Sequence, residues 1–380
     1  MEPIYLDHAA TTPVHPAVVE EMVPVLQETF GNPSSVHFFG RKARKVLDDA
    51  RRVMAKSIGA NEKEITFTSG GTEADNIALM GTALKYQHKG KHIITTEIEH
   101  HAILHTAEYL EKQGFDVTYL PVDENGRVSV EQVQSHLRED TILVSIMYVN
   151  NEVGTIQPIQ EIGQILEEHQ AYFHTDAVQA YGTLPIDVEK LKVDLLTTAA
   201  HKIYGPKGIG FLYVREGVMI ESLQHGGEQE RKRRAGTENT AAAKGFQKAV
   251  ELIIEHREKR NEKNKRRKQL FIDTLREEGV SFTVNGDEQT TVNGIINISF
   301  PGTNVEGMLT NLDLAGIAAS SGSACTAGSV EPSHVLSAMF GSSDDRTTNS
   351  IRFSFGRSNE EEHIIESAKK VSQIVKRLTS

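Results

Sequence analysis

The chain has 380 residues, with 41 lysines and arginines against 52 aspartates and glutamates, giving a formal charge of −11 at pH 7. At roughly 150 residues per domain this length implies two to three structural units, and the 38% hydrophobic and 24% charged fractions are those of a globular chain with a sizeable core. The acidity excludes a general affinity for nucleic acid or anionic membrane, while leaving room for a local basic patch for tRNA. A single cysteine, Cys325, excludes an intrachain disulfide framework, a CxxC redox pair and a multi-cysteine zinc site within one subunit. The opening MEPIYLDHAATTP has neither a basic region nor an apolar one, so no secretion signal is expected. No run approaches about 18 uninterrupted apolar residues, so the expectation is a cytoplasmic protein without a membrane span.

Residues 1–15 read as an N-terminal arm, followed by a short helix before residue 30 that packs on the main domain. From 62 to 215 strand and helix alternate. Buried strands are expected at EITFTSG (64–70), KHIITTEI (91–98), DVTYLPV (116–122), TILVSIMYV (141–149), AYFHTDA (171–177), VDLLTTA (193–199) and GIGFLYV (208–214). Helical stretches such as TEADNIALMGTALKYQ lie between the earlier ones, which predicts a mostly parallel seven-stranded α/β sheet covered on both faces. The last two strands have no helix between them, so one is expected to run antiparallel.

Residues 240–278 read as one long helix or two in tandem, with a charge run at 255–268 taken as a solvated helix face. Short strands (281–284, 294–300, 350–355) and helices (304–313, 359–377) then build a smaller α+β unit. The expected division is an arm over 1–15, a large domain over 16–250 and a small C-terminal domain over 251–380, with the N-terminal segment able to pack on the latter.

Several motifs sit where such a sheet places chemistry. TSGGTEADN (68–76) follows a strand and opens a helix, so its amides and Thr72 form an anion cradle at Gly71; an ordinary Gly-rich turn is the alternative. FHTDAVQA (173–180) puts Asp176 and Gln179 beyond a strand end, where open α/β sheets bind ligands. In TTAAHKIYGPKG (197–208), Lys202 directly follows a buried strand, and a desolvated lysine is a usable amine nucleophile. His101 and His105 are spaced i, i+4 but lack a third zinc ligand, so they read as surface histidines, and His100 is the better site candidate. Cys325 lies among Ser321, Gly322, Ser323, Ala324 and Thr326, a setting that exposes a thiol. Arg352, in the strand SIRFSFG, calls for a carboxylate partner. An anion cradle, an acid for a ring nitrogen, a Schiff-base lysine and an arginine for a carboxylate together suit pyridoxal phosphate and an amino acid.

Read end to end, YLDHAATTP, GNPSS, TSGGTEADN, VNNEVGTIQP, HTDAVQA, AHKIYGPKG, RAGTEN, SSGSACTAG and IRFSFG resemble the pyridoxal-phosphate-dependent cysteine desulfurases of the NifS/IscS kind. SSGSAC resembles the subgroup with a longer cysteine loop. The resemblance implies an aminotransferase-like homodimer that converts L-cysteine to L-alanine and keeps the sulfur as a Cys325 persulfide. It implies that Lys202 holds the cofactor as an aldimine, and that Gly71, Thr72 and His201 bind its phosphate side, with Thr237 of RAGTEN reaching in from the other subunit. Asp176 then pairs with the pyridine nitrogen, Gln179 with the ring hydroxyl, and His100 lies over the ring, while Asn151 and Arg352 hold the substrate carboxylate.

Two departures stand out. Many relatives carry serine where this chain has Ala199, which removes a phosphate hydroxyl unless Thr198 or water replaces it. The chain also ends at RLTS, without the C-terminal extension that some relatives use to dock an iron–sulfur scaffold, so a tRNA thiolation enzyme becomes a serious sulfur acceptor. No intrinsic metal is expected, although Cys325 could ligate an iron–sulfur cluster transiently with a partner. A selenocysteine lyase, a cysteine sulfinate lyase, an aminotransferase and a non-catalytic scaffold of the same fold remain as alternatives.

Overall fold

The computed structural model describes residues 3–321 and 332–380. The chain opens with a two-residue strand, β1 (Ile4–Tyr5), and two helices, α1 (Pro16–Glu28) and α2 (Phe38–Ser57). The central region then alternates β2 (Ile65–Thr68), α3 (Gly71–Tyr86), β3 (His92–Thr96), α4 (His101–Lys112), β4 (Asp116–Leu120), α5 (Val130–His136), β5 (Thr141–Ser145), α6 (Ile159–Leu166), β6 (Tyr172–Asp176), α7 (Val188–Leu191), β7 (Leu195–Ala199) and β8 (Gly210–Val214). Seven strands form one sheet in the order β2-β8-β7-β6-β5-β3-β4. Only β8 opposes its neighbours, pairing antiparallel with both β2 and β7, as the missing helix before it predicted. Strands β2, β3, β5, β7 and β8 are buried along their whole length. Helices cover both faces, which is why these strands read as continuous apolar runs rather than alternating ones.

The expected long helix is two: α8 (Thr240–Glu255) and α9 (Arg257–Glu277), parted at His256. The second unit follows with β9 (Thr283–Asn285), β10 (Ile295–Ser299), α10 (Val305–Leu314), β11 (Ile317–Ala318), α11 (His334–Phe340), α12 (Arg346–Asn349), β12 (Ser350–Ser354) and α13 (Glu361–Thr379). Its three-stranded antiparallel sheet, β12-β10-β9, packs Ile296, Ile298 and Phe353 against Phe271, Ile272 and Leu275 of α9 in a core separate from that of the large sheet. Among the described residues no helix is long and apolar enough to cross a membrane.

The reading of 255–268 as a solvated face is corrected in part. Lys259 and Lys263 are exposed, but Asn264, Arg267 and Lys268 are buried where α9 crosses from one unit to the other. Lys268 Nζ donates to Thr291 Oγ1 at 3.0 Å, and burial pushes its amine down to about 8. A solvated-face reading fails here because the stems of long cations bury well while their heads find acceptors.

The arm ties the units together. β1 runs parallel to β11, Leu6 N donates to Ala318 O, and Asp7 bridges Ser354. The chain then turns to the large unit, where Thr12 N donates to the His201 carbonyl at 2.9 Å. A second tie is buried: both guanidinium nitrogens Nη1 and Nη2 of Arg51 meet the Glu230 carboxylate at 2.7 Å, and Glu230 also accepts from Phe67 N at 2.9 Å. This pair fastens the left-handed turn Glu230–Lys232 to α2 and β2. Removing one partner leaves a buried charge alone, which costs about 3–5 kcal/mol. Arg51→Met is therefore expected to lower the unfolding free energy by about that amount, read from urea denaturation; a loss below about 1 kcal/mol would mean that the pair contributes no more than a surface one.

Candidate active site

The C-terminal ends of β6 and β7, the N-termini of α3 and α4, and the arm surround a cavity of about 440 Å³. Gly71, Thr72, His100, Asn151, Asp176, Gln179, His201, Lys202 and Arg352 all line it. Thr237 does not, and is exposed elsewhere on this chain. Cys325 lies outside the described residues, while Ser320 and His334, which flank its segment in sequence, are both at the cavity wall.

Lys202 ends a short turn after β7, and its Nζ donates to the carbonyls of Ala9 and, at 2.9 Å, Ala10. Burial, assisted by the charge of Arg352, lowers the amine to about 8, against the opposing pull of Asp176 and Asp7. Gln179 Nε2 shares the Ala9 carbonyl at 2.8 Å. Asp176, at the end of β6, accepts from Val178 N at 2.8 Å, and burial raises it to about 6. Beneath it lies a fully buried polar row. His174, held neutral by burial, has Ser145 Oγ 2.9 Å from Nδ1 and Thr197 Oγ1 3.0 Å from Nε2. Asp75 stands 3.7 Å from the same Nε2, and burial together with the charge of Asp176 pushes its carboxyl well above the usual carboxylate range.

His100 caps α4, its Nδ1 accepting from Ala102 N at 3.1 Å, which leaves the ring hydrogen on Nε2. Burial and the charge of Lys202 hold it near 4, so it is neutral at physiological pH. His201 Nδ1 is 3.1 Å from Thr11 Oγ1. Arg352 is already engaged, donating from Nη2 to Asp7 Oδ1 at 2.8 Å and from Nη1 to Asn151 O at 3.0 Å. The surface reading of His101 and His105 holds for His105 only. His101 is half-buried at the cavity wall, stacked on His105 at 5.0 Å and 4.8 Å from His334. Thr198 does not compensate for Ala199: it is fully buried, donates to Phe211 O at 3.3 Å and does not line the cavity, whereas Ala199 does. Alternation along β7 turns the two side chains to opposite faces.

These residues fit pyridoxal phosphate. The first amides of α3, a 16-residue helix, have no intrahelical acceptors and face an anion site. Gly70 has φ +152°, which favours glycine, and a Cβ on Gly71 would crowd Val178 Cγ2 at 3.0 Å. Buried Asp75 Oδ1 and Arg352 Nε have no hydrogen-bond partner among the described residues, as expected of a polar cavity built around a ligand. Sequence reasoning assigned no role to Asp7, Thr11, Asp75 or the Ala9 and Ala10 carbonyls. The only signal for them was their presence inside the motifs YLDHAATTP and TSGGTEADN.

The sheet order, the strand-end acid and the lysine after β7 define the architecture of an aminotransferase-type pyridoxal-phosphate protein. The aminotransferase class-V family model matches residues 4–366. The protein named IscS 1 of Bacillus subtilis (strain 168) is 60% identical over 379 residues, covering 100% of both chains. The cysteine desulfurase IscS of Dictyoglomus turgidum is 50% identical over 93% of this chain and 89% of its own length. Among solved structures, a NifS-like protein superposes with a TM-score of 0.92 at 36% identity, covering 99% of this chain and 100% of that one. The chain belongs to the class-V aminotransferase family and, within it, to the NifS/IscS cysteine desulfurases.

The amine of Lys202 is expected to react in the cofactor-free protein with a midpoint near pH 8, against about 10.4 for an exposed lysine. Reductive methylation followed by mass spectrometry reads this directly. Because Asp176 stabilises the ammonium form, Asp176→Asn should move the midpoint to lower pH; an unmoved midpoint would remove the coupling between the two groups.

Proposed function

We propose that the protein removes sulfur from L-cysteine, releasing L-alanine and holding the sulfur as a persulfide on Cys325. The observation that carries this reading is the convergence of nine sequence-selected residues, among them Lys202, Asp176 and Arg352, on one cavity of amino-acid and cofactor size. Pyridoxal phosphate, which Lys202 would hold, would supply an electron sink beside the substrate amine carbon. Gly71, Thr72 and His201 would bind its phosphate side, Asp176 would keep its ring nitrogen protonated, and Gln179 would meet the ring hydroxyl. Lys202 Nζ, with its lowered basicity, takes the proton from the substrate Cα and later returns one. His100 would lie over the ring, offering Nε2–H as a neutral donor. Arg352 and Asn151 bind the substrate carboxylate, which must compete with Asp7 for the guanidinium. The Cys325 thiolate attacks the substrate sulfur, so an S–S bond forms as the C–S bond breaks, and the electron pair stays with the carbon fragment that leaves as alanine.

The active unit is a homodimer in which Thr237 completes the phosphate site of the partner. Its exposure on this chain supports that reading, as does an apolar surface on α2 and the segment before it, where Phe30 is 72%, Val36 89% and Phe38 65% exposed. The chain divides into an arm (1–15), a large domain (16–250) and a small domain (251–380). The persulfide passes to an acceptor protein in the cytoplasm, either a tRNA thiolation enzyme or an iron–sulfur scaffold, without direct contact to nucleic acid.

Incubation with L-cysteine and a reductant is expected to give alanine and sulfide in equal amounts, and Cys325→Ala to abolish both. Activity that survives the substitution would move the protein to a lyase without a cysteine relay. Mixing Lys202→Ala and Thr237→Ala subunits should restore one complete site per dimer and native cofactor affinity there; no restoration would place Thr237 outside the partner's site.

A further inference from the structure

On the far side of the turn that carries Lys202 lies a second cavity, of about 430 Å³, between the start of α1, the end of α8 and the first turns of α9. Tyr204, Leu252 and Ile253 contribute an apolar floor. Lys259, Arg260, Lys263, Arg267 and Arg357 line it as well, and no aspartate or glutamate does. None of these five cations forms an ion pair among the described residues. Their neighbour Arg266, which points elsewhere, is paired with Glu361. Two other buried arginines have a carboxylate beside them, Glu230 with Arg51 and Asp7 with Arg352. Here the acceptors are uncharged: Arg260 donates to the Gly182 carbonyl, and Arg267 to Asn264 Oδ1 at 2.9 Å. Burial and the charges of Arg357 and Lys248 hold nearby His15 below its ordinary value, against the opposing pull of Glu20. Five like charges line one cleft over an apolar floor, with Glu360 and Glu361 acting on Arg267 only from outside that lining, so a bound anion would lower their mutual repulsion.

We propose that this cleft binds a small phosphorylated organic anion of nucleoside-diphosphate size, its phosphates on the α9 cations and its ring on Tyr204, Leu252 and Ile253. Arginine forks and lysine ammoniums match phosphate oxygens. The cavity volume suits a single small ligand, with apolar lining for one end and polar groups for the other. A nucleic acid backbone would need a basic track and no enclosed apolar floor. The site does not depend on the desulfurase reading, but it adjoins it. Tyr204, two residues after Lys202, has φ +66° and is fixed by donation from its N to Thr12 Oγ1 and from Arg357 N to its hydroxyl, both at 2.8 Å. An occupant therefore packs against the turn that aims Lys202.

The test uses the holoenzyme, so that pyridoxal phosphate fills the catalytic cavity, and ADP bearing an N-methylanthraniloyl fluorophore as the probe. Saturable binding is expected, displaced by unlabelled ADP and, at higher concentration, by inorganic pyrophosphate. Lys259→Glu with Lys263→Glu should weaken binding at least tenfold while leaving turnover of L-cysteine without the nucleotide unchanged. Leu252→Gln should weaken ADP but not pyrophosphate. Absence of saturable binding, or binding that both variants leave intact, overturns the proposal. So does pyrophosphate binding as tightly as ADP, or capture of a short single-stranded RNA that the lysine substitutions abolish while ADP binding persists.

Discussion

The interaction on which the site depends is the seat of Lys202. An amine placed at the end of a buried strand loses its water, and only acceptors supplied by the fold keep it there. Those acceptors are the carbonyls of Ala9 and Ala10, from the N-terminal arm. Because they are neutral, they hold the amine in place without restoring its basicity as a carboxylate at the same distance would. Asp176 and Asp7 act from further away and only moderate the effect. The lysine is thus positioned by one set of groups and tuned by another, which is what the proposed roles of covalent partner and proton carrier would require.

The arm that supplies these carbonyls also explains how two cores form one site. It pairs with β11, contacts β12 through Asp7 and Ser354, and then docks on the turn at His201. Arg352 projects from β12 of the small sheet and meets Asp7 of the arm and Asn151 of the large unit. A displacement of the small sheet would therefore be felt at Asp7, Arg352 and the Ala9 and Ala10 carbonyls together. On the proposed reading, a substrate carboxylate on Arg352 would have to take the place of Asp7 or share the guanidinium with it. That exchange would link substrate entry to the arm, and through it to Lys202.

Much of this was legible in the sequence, for physical reasons that differ by element. The seven central strands announced themselves because burial on both faces demands unbroken apolar runs, and the reversed β8 because a parallel pair needs a crossover that the chain lacks there. Lys202, Asp176 and Gly71 were legible because strand ends and helix starts are where a sheet of this kind gathers chemistry. Asp7 and the two carbonyls were not, since backbone acceptors have no sequence signature and an aspartate in an arm has no period. α2 was missed although Ala43, Leu47, Ala50 and Met54 mark its buried face, because the strongly charged remainder of the helix obscures that stripe. The misread part of α9 has the same origin: composition reports charge, and burial of Arg267 and Lys268 depends on what lies opposite them.

The polar row behind Asp176 is the least expected part of the molecule, and its chemistry follows from counting protons. Asp75 and Asp176 share one fully desolvated region, where two carboxylates cannot both ionise at little cost. Asp176 has a backbone donor and the nearby Lys202; Asp75 has neither, and faces the neutral pair of His174 and Thr197. The single negative charge therefore settles on Asp176, the carboxylate that would meet a ring nitrogen. Were His174 cationic, it would draw that charge back toward Asp75. Burial at this depth keeps the imidazole neutral, so the row behind the site acts as a neutral hydrogen-bonded backing that leaves the anion where a bound pyridine can use it.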